Sequence, residues 1–231
     1  MITRRIFAST GLVAATAALS GCSSLDLAQD GMPVSRIPPA RTLERPDYAA
    51  VYGEYAGERH AIRAFDFGQM DPVFLRQTVV YRGREPAGTV IVDTPARQLY
   101  FIEAPGKATR YGVGVGREGF AWQGGAKINL KRDWPDWVPP AEMVARLPEI
   151  RDELQPTSRG MGIPGGPRSP LGARAMYLFG EGRDLGFRIH GTTEPETIGT
   201  NVSSGCIRMI NQDIAHLYTR AAIGTPVMVL G

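Results

Sequence analysis

The stretch Ile189–Asn211, IHGTTEPETIGTNVSSGCIRMIN, decides how the rest of the chain is read. His190 lies sixteen residues before Cys206, and short apolar runs flank the Gly- and Pro-containing loop between them. Two strands joined by such a loop would bring the two side chains together. A thiol attacks carbonyls as its thiolate, which is scarce at neutral pH for an unperturbed cysteine. An imidazole in reach can take the thiol proton and later deliver it to a leaving amine, so a catalytic Cys206 is expected to titrate below free cysteine. Gly205 lacks a Cβ, so a carbonyl can approach the backbone, and the N–H groups beside Cys206 are candidates for an oxyanion hole. On a strand, Arg208 shares the face of Cys206 and Arg188 that of His190. Either guanidinium can hold a carboxylate. Spacing alone leaves a bland alternative open, because free cysteines are also among the most buried residues of ordinary cores.

The segment HGT…GTNVSSGCIRM resembles the active-site signature of the L,D-transpeptidase catalytic domain, the YkuD type. The likeness extends backward through GTVIVDTPARQLY (88–100), WPDWVPP (134–140) and SPLGARAMYLF (169–179), covering roughly Ala87 to Gly231. It implies a mainly β, β-sandwich-like domain with a helical and loop insertion and a C-terminal helix. It also implies Cys206 as nucleophile, His190 as general acid and base, the Gly191 carbonyl orienting that imidazole, and Gly205 in the oxyanion-hole region. Arg208, Ser204 and Arg188 stand on the substrate side. Many members have a second histidine where this chain has Ser204, which touches any secondary proton route but not the His190 base. The implied substrate is a peptidoglycan stem tetrapeptide, cut before its terminal D-alanine through a Cys206 thioester. The acyl group would pass to an amine, as a 3→3 cross-link or an attachment to an envelope protein, and carbapenems would acylate the same thiol. Water as acceptor would make the protein an L,D-carboxypeptidase, and attack on a wall–protein bond would make it a hydrolase of such links. A peptidoglycan-binding lipoprotein without turnover is the reading from a different class.

Farther out, the apolar patterning changes character. Runs at Thr89–Val92, Gln98–Ile102, Tyr111–Val115, 173–179, 186–191 and 225–230 read as strands. A helix is expected over 140–154, kinked or divided by Pro148, followed by a Gly/Pro loop over 155–172. Asn211 reads as the cap of a helix running to Gly224. Residues 1–21 have a signal layout: Arg4 and Arg5, then an Ala-rich apolar run from Ile6 to Leu19, short of the ~20 residues a membrane span needs. The LSGC sequence at 19–22 resembles a bacterial lipoprotein box, with Cys22 as the lipidated first residue, and Thr3–Phe7 resembles a twin-arginine export signal. Residues 22–60 read as a disordered tether and 61–86 as an extension of the catalytic domain over 87–231. The expected place is the periplasmic face of an envelope membrane, the outer one favoured by Ser23. A formal net charge of +3, lowered further by loss of the two signal arginines, gives no case for nucleic acid. Three scattered histidines without HExxH or CxxC spacing give none for a metal, and no cofactor is expected. His60 is expected to be solvated, and His216 to be an ordinary helical histidine.

Overall fold

The computed structural model describes residues 37–57, 59–116, 122–203 and 205–231. Cys22, with the signal and lipoprotein box, and Ser204 lie outside the described residues. Fourteen strands are described: β1 (Thr42–Glu44), β2 (Gln77–Val80), β3 (Val90–Asp93), β4 (Gln98–Ala104), β5 (Lys107–Gly112), β6 (Val115–Gly116), β7 (Gly124–Asp133), β8 (Gln155–Thr157), β9 (Gly160–Gly162), β10 (Arg174–Gly180), β11 (Arg183–His190), β12 (Asn201–Ser203), β13 (Ile207–Arg208) and β14 (Pro226–Leu230). Helices α1 (Tyr48–Val51), α2 (Ala141–Arg146) and α3 (Asn211–Arg220) complete the list with short 3-10 turns.

Ten strands form one sheet in the order β1-β2-β5-β4-β3-β14-β7-β10-β11-β13. The apolar runs set this arrangement. Val90 and Val92 of β3 enter one core while Ile91 enters another on the opposite face, as expected of a strand covered on both sides. The larger core joins Leu99 and Tyr111 from one half of the sheet with Ile128, Met176, Leu178 and Ile189 from the other, and with Ile214 and Leu217 of α3. Both halves thus bury their faces in a common core, the sandwich-like, mainly β arrangement expected from the sequence. The edge strand β13 is also closed onto the segment after β5: Arg208 N donates to Gly114 O at 2.8 Å and Gly114 N to Arg208 O at 3.0 Å.

The insertion between β7 and β10 is more ordered than a Gly/Pro loop. Pro148 divides the expected helix into α2 and a 3-10 turn over Pro148–Glu153, since proline cannot donate the helical bond. Residues 155–162 then form the β8–β9 hairpin. Asp136 pins it, accepting from Ser158 Oγ at 2.7 Å and Gly165 N at 2.8 Å.

The tether expectation needs correction for the described part of 22–60. Strand β1 pairs with β2, and Tyr52 is 1% exposed in a cluster with Leu75, Ile198 and Ile210. Tyr52 Oη donates to Asp213 at 3.1 Å and accepts from Arg76 N at 2.8 Å. Gln212 Nε2 donates to Arg63 O at 2.8 Å. This arm is held by aromatic packing and by side chains of α3, neither of which produces a strand or helix period. His60 is half-buried against Trp134, ring centroids 5.2 Å apart, rather than solvated.

Candidate active site

Strands β11 and β13 run parallel with Ile189 opposite Ile207 and His190 opposite Arg208. Both isoleucines enter the core, so alternation sends His190, Arg188, Cys206 and Arg208 to the other face. His190 and Cys206 are offset by one side-chain repeat, about 7 Å along a strand, which two converging side chains can bridge. The parallel register thus sets the segment that carries His190 beside the one that follows Cys206.

His190 is 5% exposed, and its Nδ1 meets the Gly191 carbonyl at 2.5 Å. A carbonyl can only accept, so Nδ1 carries the proton and a neutral ring presents the Nε2 lone pair. Burial pushes the imidazole down to about 4, against the pull of the Gly191 carbonyl, with the Arg208 and Arg188 charges adding to the depression. A Cβ at Gly191 would collide with Asn211 Oδ1, so any larger residue there would displace the Asn211 amide. Gly205, at φ 107°, takes a backbone conformation that side chains disfavour, immediately before the thiol.

Cys206 is a half-buried thiol. Its sulfur receives a hydrogen bond from the Arg188 backbone N–H, and the Arg188 and Arg208 charges also favour the thiolate, yet burial outweighs them and raises the pKa. The expected low-pKa thiol is thus corrected. A neutral His190 supplies no cation to stabilise a resting thiolate.

Both sequence-predicted arginines stand at the site, and both are already paired. Arg188 binds Asp184 through Nη2–Oδ2 at 2.9 Å and Nη1–Oδ1 at 3.1 Å, and lies 4.6 Å from the Tyr177 ring centroid. Arg208 Nη1 donates to Glu194 at 2.8 Å. The sequence reading passed over Asp184 and Glu194, whose offsets of four and fourteen residues from their arginines follow no motif. It also misassigned Asn211. The N-cap position is Ile210, and Asn211 instead accepts from Ala173 N at 2.9 Å and donates to Thr192 O at 2.8 Å. It thereby fastens the loop after His190 to the start of β10. Trp122 stacks on Phe187 at 5.1 Å and Trp134 is buried, so both pack the domain. A cavity of about 630 Å³, bordered by Phe65, Met70, Trp134, Thr192, Ile198 and Gln212, lies between the N-terminal arm and the loop after His190; neither Cys206 nor His190 lines it. Among the described residues no group of three potential ligands could hold a metal ion, and no helix is long and apolar enough to cross a membrane.

The model of one family, the L,D-transpeptidase catalytic domain (YkuD), matches residues 87–229, and the chain belongs to that family. "Probable L,D-transpeptidase YbiS" of Escherichia coli strain K12 is 31% identical over 147 residues, 62% of this chain and 44% of that protein. "Probable L,D-transpeptidase ErfK/SrfK" of Salmonella typhimurium strain LT2 is 30% identical over 146 residues, 61% of this chain and 43% of that protein. The chain thus spans less than half the length of these relatives. A solved structure named "Probable carnitine operon oxidoreductase caia" from Brucella melitensis is 44% identical, covering 71% of this chain and 99% of that one, with a TM-score of 0.45. Its name describes that protein, and at this TM-score the likeness carries no argument.

Proposed function

We propose that the protein is a cysteine-dependent L,D-transpeptidase acting on peptidoglycan stem peptides. The observation that carries this reading is the parallel register that sets His190 opposite Arg208, two residues past Cys206, with the His190 Nδ1 proton committed to the Gly191 carbonyl. In the first step the Cys206 sulfur attacks the carbonyl of the third stem residue while Nε2 takes the thiol proton. N–H groups beside Gly205 and Cys206 receive the developing oxyanion. The C–N bond to D-alanine breaks, the amine leaves with the proton from His190, and a thioester remains. In the second step His190 takes a proton from an incoming amine, which attacks the thioester and releases the thiol. The amine belongs to a second stem, giving a 3→3 cross-link, or to a lysine of an envelope protein. The reading includes export, lipidation at Cys22 and residence on the periplasmic face of the envelope, where both amines are available. Carbapenems, whose β-lactam carbonyl is activated by ring strain, are expected to acylate Cys206.

The test is mass spectrometry of products formed by the full chain from disaccharide-tetrapeptide, with Cys206→Ala in parallel. Cross-linked dimer in the active sample alone is expected. Tripeptide alone would replace transfer by hydrolysis, and identical samples would overturn the enzymatic reading.

A further inference from the structure

Two guanidinium groups, those of Arg188 and Arg159, flank the Tyr177 ring on the strand pair that meets the thiol, and only the first is ion-paired among the described residues. The Arg188 N–H bonds Cys206, and Arg188 stands opposite Tyr177 in the β10–β11 register. Tyr177 is 1% exposed, and its hydroxyl accepts a hydrogen bond of 3.0 Å from Arg159 Nη1, at the turn of the β8–β9 hairpin. The Arg159 guanidinium lies 5.6 Å from the Tyr177 ring centroid, and that of Arg188 4.6 Å from it. Asp184 neutralises Arg188 and Glu194 neutralises Arg208. Among the described residues Arg159 forms no ion pair, its charge reaching Asp136 only at longer range, and its tip is pinned: Ser158 is bonded to Asp136, and Arg159 N donates to Thr157 Oγ1 at 3.2 Å.

We propose that Arg159 binds a carboxylate of the peptide substrate at the approach to Cys206. The inference rests on Cys206 being the nucleophile. A guanidinium has five N–H donors in a fixed fork, of which one is spent on Tyr177, so a paired set remains for a carboxylate. The buried tyrosine supplies what a flexible arginine lacks, a fixed direction at small entropic cost. Arg188 and Arg208 would each have to surrender an existing carboxylate to do the same work. Stem peptides bear carboxylates on either side of the bond cut in the proposed reaction, so a fixed cation there selects a charged stem over a neutral peptide.

The experiment compares alkylation of Cys206 by iodoacetate and by iodoacetamide. It uses the full chain at pH 9 and low salt, read by mass spectrometry of the peptide containing Cys206. The probes differ in the carboxylate, so their rate ratio reports an anion-binding group near the sulfur and needs no peptidoglycan. In Arg159→Ala the iodoacetate rate is expected to fall roughly 3- to 10-fold, with iodoacetamide unchanged within about 2-fold, the scale of one charge in partly screened surroundings. Arg159→Lys should recover most of the loss, and Arg151→Ala, which removes a charge from the same insertion, should match the unaltered protein. Iodoacetate rates unaffected in Arg159→Ala, or both probes slowed alike as by a loosened hairpin, would overturn the proposal. A thiol inert to both probes in the unaltered protein would overturn the nucleophile reading and this inference with it.

Discussion

The β11–β13 pair and the N-terminal arm are both essential neighbours of the loop after His190, but they are built by opposite means. The strand pair is organised by backbone register, with isoleucines inward and the candidate catalytic side chains on the other face. The arm, from residue 37 to β2, is organised by side chains: the Tyr52 cluster and the grip of Gln212 and Asp213 on α3. The difference teaches that chemistry can be displayed by a few regular residues, while the frame holding them is assembled from contacts distant in the chain. Residues Gly205–Arg208 lead directly into α3, so one short segment both carries the thiol and ties down the arm.

The sharpest break in the comparison is predicted on the strand side. His190→Ala should lower turnover of a stem tetrapeptide by about 100- to 10,000-fold, the range for loss of a general base, with an unchanged far-ultraviolet circular dichroism spectrum. On the arm side the loss is in stability. Tyr52→Ala removes a buried aromatic ring and its Asp213 bond and is expected to cost about 3–5 kcal/mol, lowering the melting temperature by roughly 10 °C. Deleting residues 1–60 should do at least as much; an unchanged melting temperature would return the segment 37–57 to the status of a tether.

Asn211 stands where the two regions meet. Asn211→Ala leaves the Ala173 N–H and Thr192 carbonyl without their partner, at about 1–3 kcal/mol, and the loosened loop should lower kcat more than it alters KM. The smallest effect concerns pH. Burial holds His190 down to about 4 and His216, bonded to Tyr111 Oη at 2.7 Å, down to about 3. The unfolded chain therefore binds more protons below the ordinary histidine pKa of 6.5, and these groups withdraw stability as pH falls from about 6.5 toward 3. Asp213, raised by burial to about 7, acts in the reverse sense: the folded state keeps its proton between pH 7 and 3.8 and gains stability as pH falls through that window. His216→Gln should flatten the fall in melting temperature from pH 7 to 4, and Asp213→Asn should steepen it.

What was legible in the sequence follows the same division. Alternation and Gly/Pro punctuation located β3, β4, β10, β11 and β14, and the proline rule divided the helix at Pro148. His190, Gly205, Cys206, Arg188 and Arg208 were singled out because their types and spacing carry chemistry, and Gly191 through the family resemblance. The arm was not, since Tyr52, Phe65 and Phe67 cluster without a period. Nor were Asp184 and Glu194, because nothing local marks which acid meets which arginine. Asn211 shows the limit of a local rule: its position suits a cap, but tertiary contacts offered its amide two better partners. The raised Cys206 pKa was illegible for the same reason, as burial is a property of the assembled site.

The central claim is that Cys206 is the nucleophile and His190 its base. The most direct measurement is the intact mass of the full chain mixed with stem tetrapeptide in the absence of an acceptor. The account predicts a covalent adduct of the stem less D-alanine, mapped to Cys206, absent in Cys206→Ala and formed at least about 100-fold more slowly in His190→Ala. No adduct in the unaltered chain, or one that persists without Cys206, would contradict it.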